Sequence, residues 1–111
     1  MFEEVLLSYL KASLNVPVYM ERPEDALPPF LLFEKTGGNR RNKLYSSVFA
    51  FQSYGNSLYQ SALLNNRLKE VLDGLEAVPQ VSSVRYNTDY NFTDVQRKEH
   101  RYQAVYEIFH Y

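Results

Sequence analysis

Two carboxylates, Asp89 and Asp94, flank the segment Tyr90-Asn91-Phe92-Thr93, and this arrangement could in principle do chemistry. Two acids beside Asn and Thr side chains offer hard oxygen ligands for a cation. The spacing fits no calcium loop. Asn and Asp in such numbers are typical of Asx turns, in which the side chain bonds to its own backbone. The pattern therefore favours a turn over a metal site.

A second candidate is Gly37-Gly38 followed by the cations Arg40, Arg41 and Lys43. Glycine-rich backbone with positive charge can cradle phosphate, but such loops normally run into a helix N-terminus. Here the segment 37–43 joins two predicted strands, so we expect a flexible hairpin tip. Either it stays solvated and mobile, or it orders when it docks on an acidic neighbour, which is the interpretation we prefer.

The other reactive side chains form no catalytic pattern. The two histidines, His100 and His110, lie outside any H-x-x-x-H or H-E-x-x-H spacing, and no G-x-S-x-G elbow or dinucleotide fingerprint occurs. Cysteine is absent, which excludes disulfides and thiolate chemistry. We expect a protein that is not an enzyme, with no cofactor and no metal.

Composition predicts one globular domain over residues 1–111. Hydrophobic residues make up 45% and charged residues 23%, enough for a packed core. The net charge of -1, from 12 basic and 13 acidic residues, is not that of a general nucleic-acid binder. No apolar run approaches the ~20 residues of a membrane helix, and the first residues lack the basic region of a secretory signal. We therefore expect an intracellular protein with no membrane contact.

Hydrophobic periodicity and breaker residues predict the order α-β-β-β-α-β-β. The second helix should begin with a Ser57/Gln60 capping box and bury one apolar face. The members of that face are Leu58, Ala62, Leu68, Val71, Leu72 and Leu75. The predicted elements are helix 2–14, strands 18–20, 30–36 and 44–53, helix 58–75, and strands 81–87 and 101–111. The fold class is α+β, a mainly antiparallel sheet of about five strands with two helices on one face.

The last strand carries apolar side chains on both faces. Its even positions include Tyr102, Tyr106 and Ile108, and its odd positions include Val105 and Phe109. A strand with one wet face alternates between apolar and polar residues. We expect the even positions to pack against the helices and the odd ones to meet a partner, such as another subunit.

Five segments of the chain resemble small tail proteins of long-tailed bacteriophages and prophages, most of all the tail terminator, or tail-completion, family. They span nearly the whole chain: Pro17-Val-Tyr-Met-Glu21, Glu34-Lys-Thr-Gly-Gly38, Phe51-Gln-Ser-Tyr54, Asp89-Tyr-Asn-Phe-Thr-Asp94 and Arg101-Tyr-Gln-Ala-Val-Tyr106. These are packing and turn patterns rather than catalytic signatures.

The resemblance implies a structural virion protein that assembles with itself as a ring, commonly a hexamer. The ring caps the tail tube and supplies the head-joining surface. The implied partners are further copies of the chain, the tail tube protein and the head–tail connector proteins, and the implied location is the head-proximal end of the virion tail, after synthesis in the host cytoplasm. The family brings no catalytic residue. We expect assembly contacts at the hairpin tip and at the 89–100 loop leading into the last strand: Arg40, Arg41, Lys43, Tyr90, Phe92 and Phe109.

Other functions remain open at this point. Head-completion and other minor tail or head–tail connector proteins are similar in size. A ferredoxin-like nucleic-acid-binding module would use exposed sheet aromatics such as Tyr45, Phe49 and Tyr106 to stack bases, although we expect no sequence-specific nucleic-acid partner. A small enzyme or ligand-binding domain would need a polar pocket for which no converging set of residues stands out.

Overall fold

The computed structural model describes all residues from 1 to 111. Its elements are α1 (Phe2–Ser13), β1 (Val18–Tyr19), β2 (Phe30–Arg41), β3 (Leu44–Gly55), α2 (Leu58–Asp73), a 3-10 turn (Leu75–Ala77), β4 (Val81–Asn91) and β5 (His100–His110). The predicted α+β class, its order of elements and its mainly antiparallel sheet are confirmed.

The five strands form one sheet in the order β1-β2-β3-β5-β4. The edge strand β1 runs parallel to β2, and every other pair is antiparallel. The last strand, β5, therefore lies between β3 and β4 and is bonded on both sides. Its central place means that both of its hydrogen-bonding edges are paired, and its two faces differ: the even positions from Ala104 on are buried, while the odd positions are half-buried.

Local signals account for both helices. In α1, Glu3 and Glu4 lie in the first turn and Lys11 in the last, each favourable to the helix dipole. In α2, the Ser57 side chain accepts a hydrogen bond from the backbone N–H of Gln60, 3.0 Å away, as predicted. The Gln60 side chain reaches back to the N–H of Asn56. Together these bonds satisfy the free N–H groups at the start of the helix.

Both helices cover the same face of the sheet, hereafter the helix face. The main core joins α1, α2 and alternate residues of the strands, among them Leu6, Leu10, Phe33, Phe49, Phe51, Leu68, Leu72, Tyr106 and Ile108. At Gly55 a Cβ atom would lie 2.6 Å from the backbone nitrogen of Ser61, so only glycine allows β3 to end this close to α2. One predicted core position is wrong: Leu58, in the first turn of α2, is 40% exposed because this turn projects past the sheet.

The β2–β3 hairpin differs most from expectation. The predicted flexible loop at 37–43 is wrong, because β2 continues to Arg41 and β3 begins at Leu44. Gly37 and Gly38 lie within the strand and pair with Val48 and Ser47. Their backbone groups belong to the ladder, so the phosphate-loop alternative is also wrong.

Candidate assembly surface

The end of the β2–β3 hairpin, residues 37–48, is hereafter called the arm. Its β2 half is an edge of the sheet, while residues 45–48 of β3 also pair with residues 107–110 of β5. Asn42 and Lys43 connect its strands, with φ of 52° and 66°. Positive φ at both central residues is the requirement of a type I′ hairpin turn, whose twist matches that of the strands. Residues 37–43 are all exposed. The arm is thus ordered by its β-ladders, while the side chains of residues 37–43 remain in solvent.

The sheet face opposite the helices, hereafter the open face, carries the odd positions of β5. Val105, Glu107 and Phe109 alternate with the buried Ala104, Tyr106, Ile108 and His110, and all three are half-buried. The prediction that the even positions pack against the helices is confirmed for Tyr106 and Ile108. The prediction that Phe109 is only partly covered by its own chain is also confirmed.

A groove of about 750 Å³ lies on the open face between the outer part of the arm and the end of β5. Its floor contains the apolar side chains of Leu44 and Phe109. Its rim is polar and basic, with Asn39, Arg40, Arg41, Asn42, Ser46 and Glu107. This volume is in the range of pockets that take small ligands or short peptide segments.

Charged side chains beside the groove fix one wall of it. Ser46 donates a hydrogen bond to the carboxylate of Glu107. Arg85, from the neighbouring β4, lies 3.6 Å from the same carboxylate and 5.8 Å from the centre of the Phe109 ring. Glu107 is thereby paired within the chain, whereas Arg41 and Lys43 form no salt bridge. The free charge at this end of the molecule is positive.

The other end of the open face is covered by two loops. The Arg22 guanidinium lies over the rings of Phe30 and Tyr54, at 5.3 and 5.1 Å, and forms an ion pair with Glu99. Its hydrogen bond holds the pKa of the Glu99 carboxyl below its usual range. Arg101 stacks on the Phe92 ring at 4.5 Å. These contacts close the open face at this end, so only its arm-proximal half is free.

Of the predicted contact residues, the structure brings Arg40, Arg41 and Phe109 to the groove and places Lys43 at the turn of the arm. Tyr90 and Phe92 do not join them. They pack edge to face, 5.8 Å apart, at the opposite end of the sheet. The six residues therefore belong to two separate surfaces.

The loop that covers the far end also presents an acidic, apolar turn, formed by residues 23–27. The N–H of Ala26 donates to the carbonyl of Pro23, 3.1 Å away, which places Glu24 and Asp25 at the exposed corners. Ala26 is buried against Phe30 and Tyr54, while Leu27 beside it is 81% exposed. The prolines of this segment predicted only a loop, and no contact surface was expected here.

A polar cluster joins α2 to β4 on the helix side. The Asp89 carboxylate accepts hydrogen bonds from Lys69 (2.8 Å), Asn65 (2.7 Å) and the Tyr86 hydroxyl. The Lys69 hydrogen bond and then that of Tyr86 hold the pKa of Asp89 below its usual value. Asn65 is 1% exposed and its Oδ1 has no partner. The cluster anchors β4 to α2. The prediction that Asp89 lies in a turn is therefore wrong, because Asp89 belongs to β4.

The Asx-turn prediction is confirmed nearby. Asn91 Oδ1 accepts from the N–H of Thr93 at 3.0 Å, and Asp94 Oδ1 accepts from the N–H of Arg97 at 3.1 Å. No group of three acidic or histidine side chains is arranged to hold a metal ion.

The aromatic trio of the nucleic-acid hypothesis lies on the wrong face for base stacking. Tyr45, Phe49 and Tyr106 share a face as predicted, but it is the helix face, where Phe49 is 0% and Tyr106 is 2% exposed. Burial raises the pKa of the Tyr106 hydroxyl to about 12. Bases cannot reach Phe49 or Tyr106 while the helices are in place, and of the three rings only Tyr45, 38% exposed, is accessible.

The sequence did not predict five of the residues that line the groove, Asn39, Asn42, Leu44, Ser46 and Glu107, nor Arg85 beside it. Arg85 and Glu107 sit opposite each other in the β4–β5 register. Opposite charges on two predicted strands are the only sequence signal for this pair, and it becomes visible once the strands are known to be neighbours.

Neither α1 nor α2 has the length and hydrophobicity that crossing a bilayer requires. Comparison of the chain with models of known protein families and with curated proteins gives no match.

Proposed function

We propose that this chain is a structural subunit of a homo-oligomeric ring that caps the tail tube of a long-tailed bacteriophage and provides the surface to which the head joins. The proposal rests on the resemblance of the five segments and on one structural observation. Half of the open face carries apolar side chains without a covering layer, beside the basic turn of the arm.

The composition of this surface supports a protein interface. Phe109, Leu44 and Val48 are half-buried by their neighbours in the sheet and still reach solvent. Around them stand Arg85 and Arg41, and arginine and aromatic residues are enriched at interfaces. An apolar floor with a polar rim is the usual anatomy of such a contact.

The shape of the molecule suits a repeated contact. It measures 44 × 25 × 24 Å. The turn at residues 41–44 extends past the last pair of the β3–β5 ladder, Tyr45 with His110, and is free to contact a neighbouring subunit. Contacts between two different surfaces of identical subunits either close into a ring or extend into a filament.

A charge-neutral arm tests the proposal. Arg40→Ala, Arg41→Ala and Lys43→Ala, combined in one chain, remove the exposed charge of the arm without touching the core, so melting should stay close to that of the wild type. In a phage that carries the gene, the same change should give tails of irregular length and heads without tails. Normal, head-joined tails together with a large drop in melting temperature would assign the arm to folding instead.

Binding to single-stranded RNA and DNA, measured by filter retention, separates this proposal from the nucleic-acid alternative. We expect no retention at physiological salt. Tight, salt-dependent retention that Arg41→Ala weakens would favour nucleic-acid binding. Addition of the purified chain to tailless heads or to uncapped tails separates a tail terminator from a head-completion protein, because each acts first on its own half of the virion.

A further inference from the structure

We propose that the groove between the arm and the end of β5 receives the acidic turn 23–27 of a second copy of this chain. In this contact Leu27 packs on Phe109 and Leu44, and Glu24 and Asp25 face Arg41 and Lys43. The inference rests on the proposed function, because it assigns the surfaces through which ring subunits meet.

The two surfaces are chemically complementary. The groove has an apolar floor and a basic rim, and the turn offers one exposed leucine next to two exposed carboxylates. Neither Glu24 nor Asp25 forms a salt bridge within the chain, and neither does Arg41 or Lys43. The net charge of the chain is only -1, so the complementarity is a property of these two local surfaces and not of the overall charge.

A chain cannot make this contact with itself. The turn is anchored beside Tyr54, at the far end of β3, through Ala26 and through Arg22. The groove is lined by Ser46, eight residues earlier on the same strand. At about 3.3 Å per residue the two lie roughly 26 Å apart along the strand. The occupant must therefore belong to another molecule.

The turn is built to hold its shape before docking. Its hydrogen bond from Ala26 to Pro23 closes it, and the Arg22 guanidinium fixes its start on the rings of Phe30 and Tyr54. A segment already in its bound conformation loses little entropy on binding. One side of the groove rim is likewise fixed in the free chain, because Ser46 donates a hydrogen bond to Glu107 across β3 and β5.

Charge reversal tests the pairing, with self-association measured by light scattering and sedimentation from about 10 µM to 1 mM, around the range of weak contacts. The wild type should associate, and association should weaken as salt screens the charges. Glu24→Arg with Asp25→Arg in one chain, or Arg41→Glu with Lys43→Glu in another, should each weaken it by at least roughly a hundredfold, since like charges then face each other.

Mixing the two reversed chains should restore association, because each reversed surface then meets its complement. The matched control, Glu70→Arg with Asp73→Arg, makes the same charge change on the exposed side of α2 and should associate as the wild type does. Leu27→Asp should weaken association, whereas Leu63→Asp, at another exposed leucine, should not.

Different outcomes of these experiments would contradict the proposed contact and the proposed function. A wild-type chain that stays monomeric throughout, or reversed chains that do not complement each other, would overturn the contact and leave the ring to other surfaces. Complementation in solution, together with normal tails from phage carrying either reversed chain, would confirm the contact and overturn the tail-capping function.

Discussion

The imidazole of His110 lies parallel to the ring of Phe2, with 4.0 Å between the two centres and 9° between the planes. Tyr45 stacks on the imidazole as well, at 5.4 Å. Nε2 of His110 shares a hydrogen bond of 2.7 Å with the buried Ser47 hydroxyl. The first residues of α1 and the end of β5 are thus joined through one titratable ring.

His110 should make the stability of the chain depend on pH. Burial holds its pKa below the ordinary value of 6.5, so the folded state prefers the neutral ring. As pH falls below 6.5 the unfolded chain takes up the proton first, and the free energy of unfolding decreases until the folded pKa is passed. We expect melting temperature to fall between pH 7.5 and 5.5, and His110→Gln to flatten this slope. His100→Gln replaces the other, half-buried histidine and is the control; an unchanged slope in His110→Gln would contradict the prediction.

The turn of the arm should gain stability from a glycine. Lys43 has φ of 66°, a conformation in which the Cβ atom crowds the backbone. Lys43→Gly should therefore increase the free energy of unfolding by about 1 kcal/mol, as Asn-Gly is the preferred pair in such turns. Urea denaturation measures this. Lys43→Gln removes the same charge but keeps the Cβ atom, so a gain of equal size in that variant would show that charge is the cause.

Replacement by serine should have different effects at two neighbouring residues of β5, loss of stability at Ile108 and loss of assembly at Phe109. Ile108 is fully buried under the helices, and Ile108→Ser should cost about 3–5 kcal/mol, since it leaves a cavity and buries a hydroxyl. Phe109 points to the open face and is half-exposed, so Phe109→Ser should leave a folded monomer that assembles poorly. Circular dichroism measures the stability of each variant, and light scattering measures its assembly. Unfolding of Phe109→Ser would show that the open face belongs to the core of the monomer.

Asp89 should contribute to stability through its charge. Its carboxylate accepts three hydrogen bonds, and a bond to a charged group is worth roughly 1.5–3 kcal/mol. We expect Asp89→Asn to lower the free energy of unfolding by about that amount, and Asp94→Asn, whose partner Arg97 is exposed, to lower it less. Because the pKa of Asp89 is lowered, its contribution is complete above about pH 4 and is lost as pH falls further. Equal costs for the two variants would assign the cluster no special role.

The amino-acid sequence by itself determined the elements and the class of fold. Apolar residues at helical spacing mark α1 and α2, Ser57 and Gln60 mark a helix start, and alternation marks the faces of β5. These signals are local, since each depends on residues within a few positions of one another. The sequence also predicted that Phe109 lies on the face away from the helices, because Ile108 beside it must face the core.

Only the tertiary structure decided the groove. β2 contains a bulge between Lys35 and Gly37, and beyond it the odd positions turn from the helix face to the open face. Leu31 and Phe33 are therefore in the core, while Arg41 shares the open face with Phe109. A one-residue shift moves every later side chain to the opposite face, and no local pattern in the exposed, polar end of β2 announces where that shift occurs. Tyr90 and Phe92 lie far from the arm because of strand order and register. Both depend on contacts between residues distant in the chain, as the position of the bulge does.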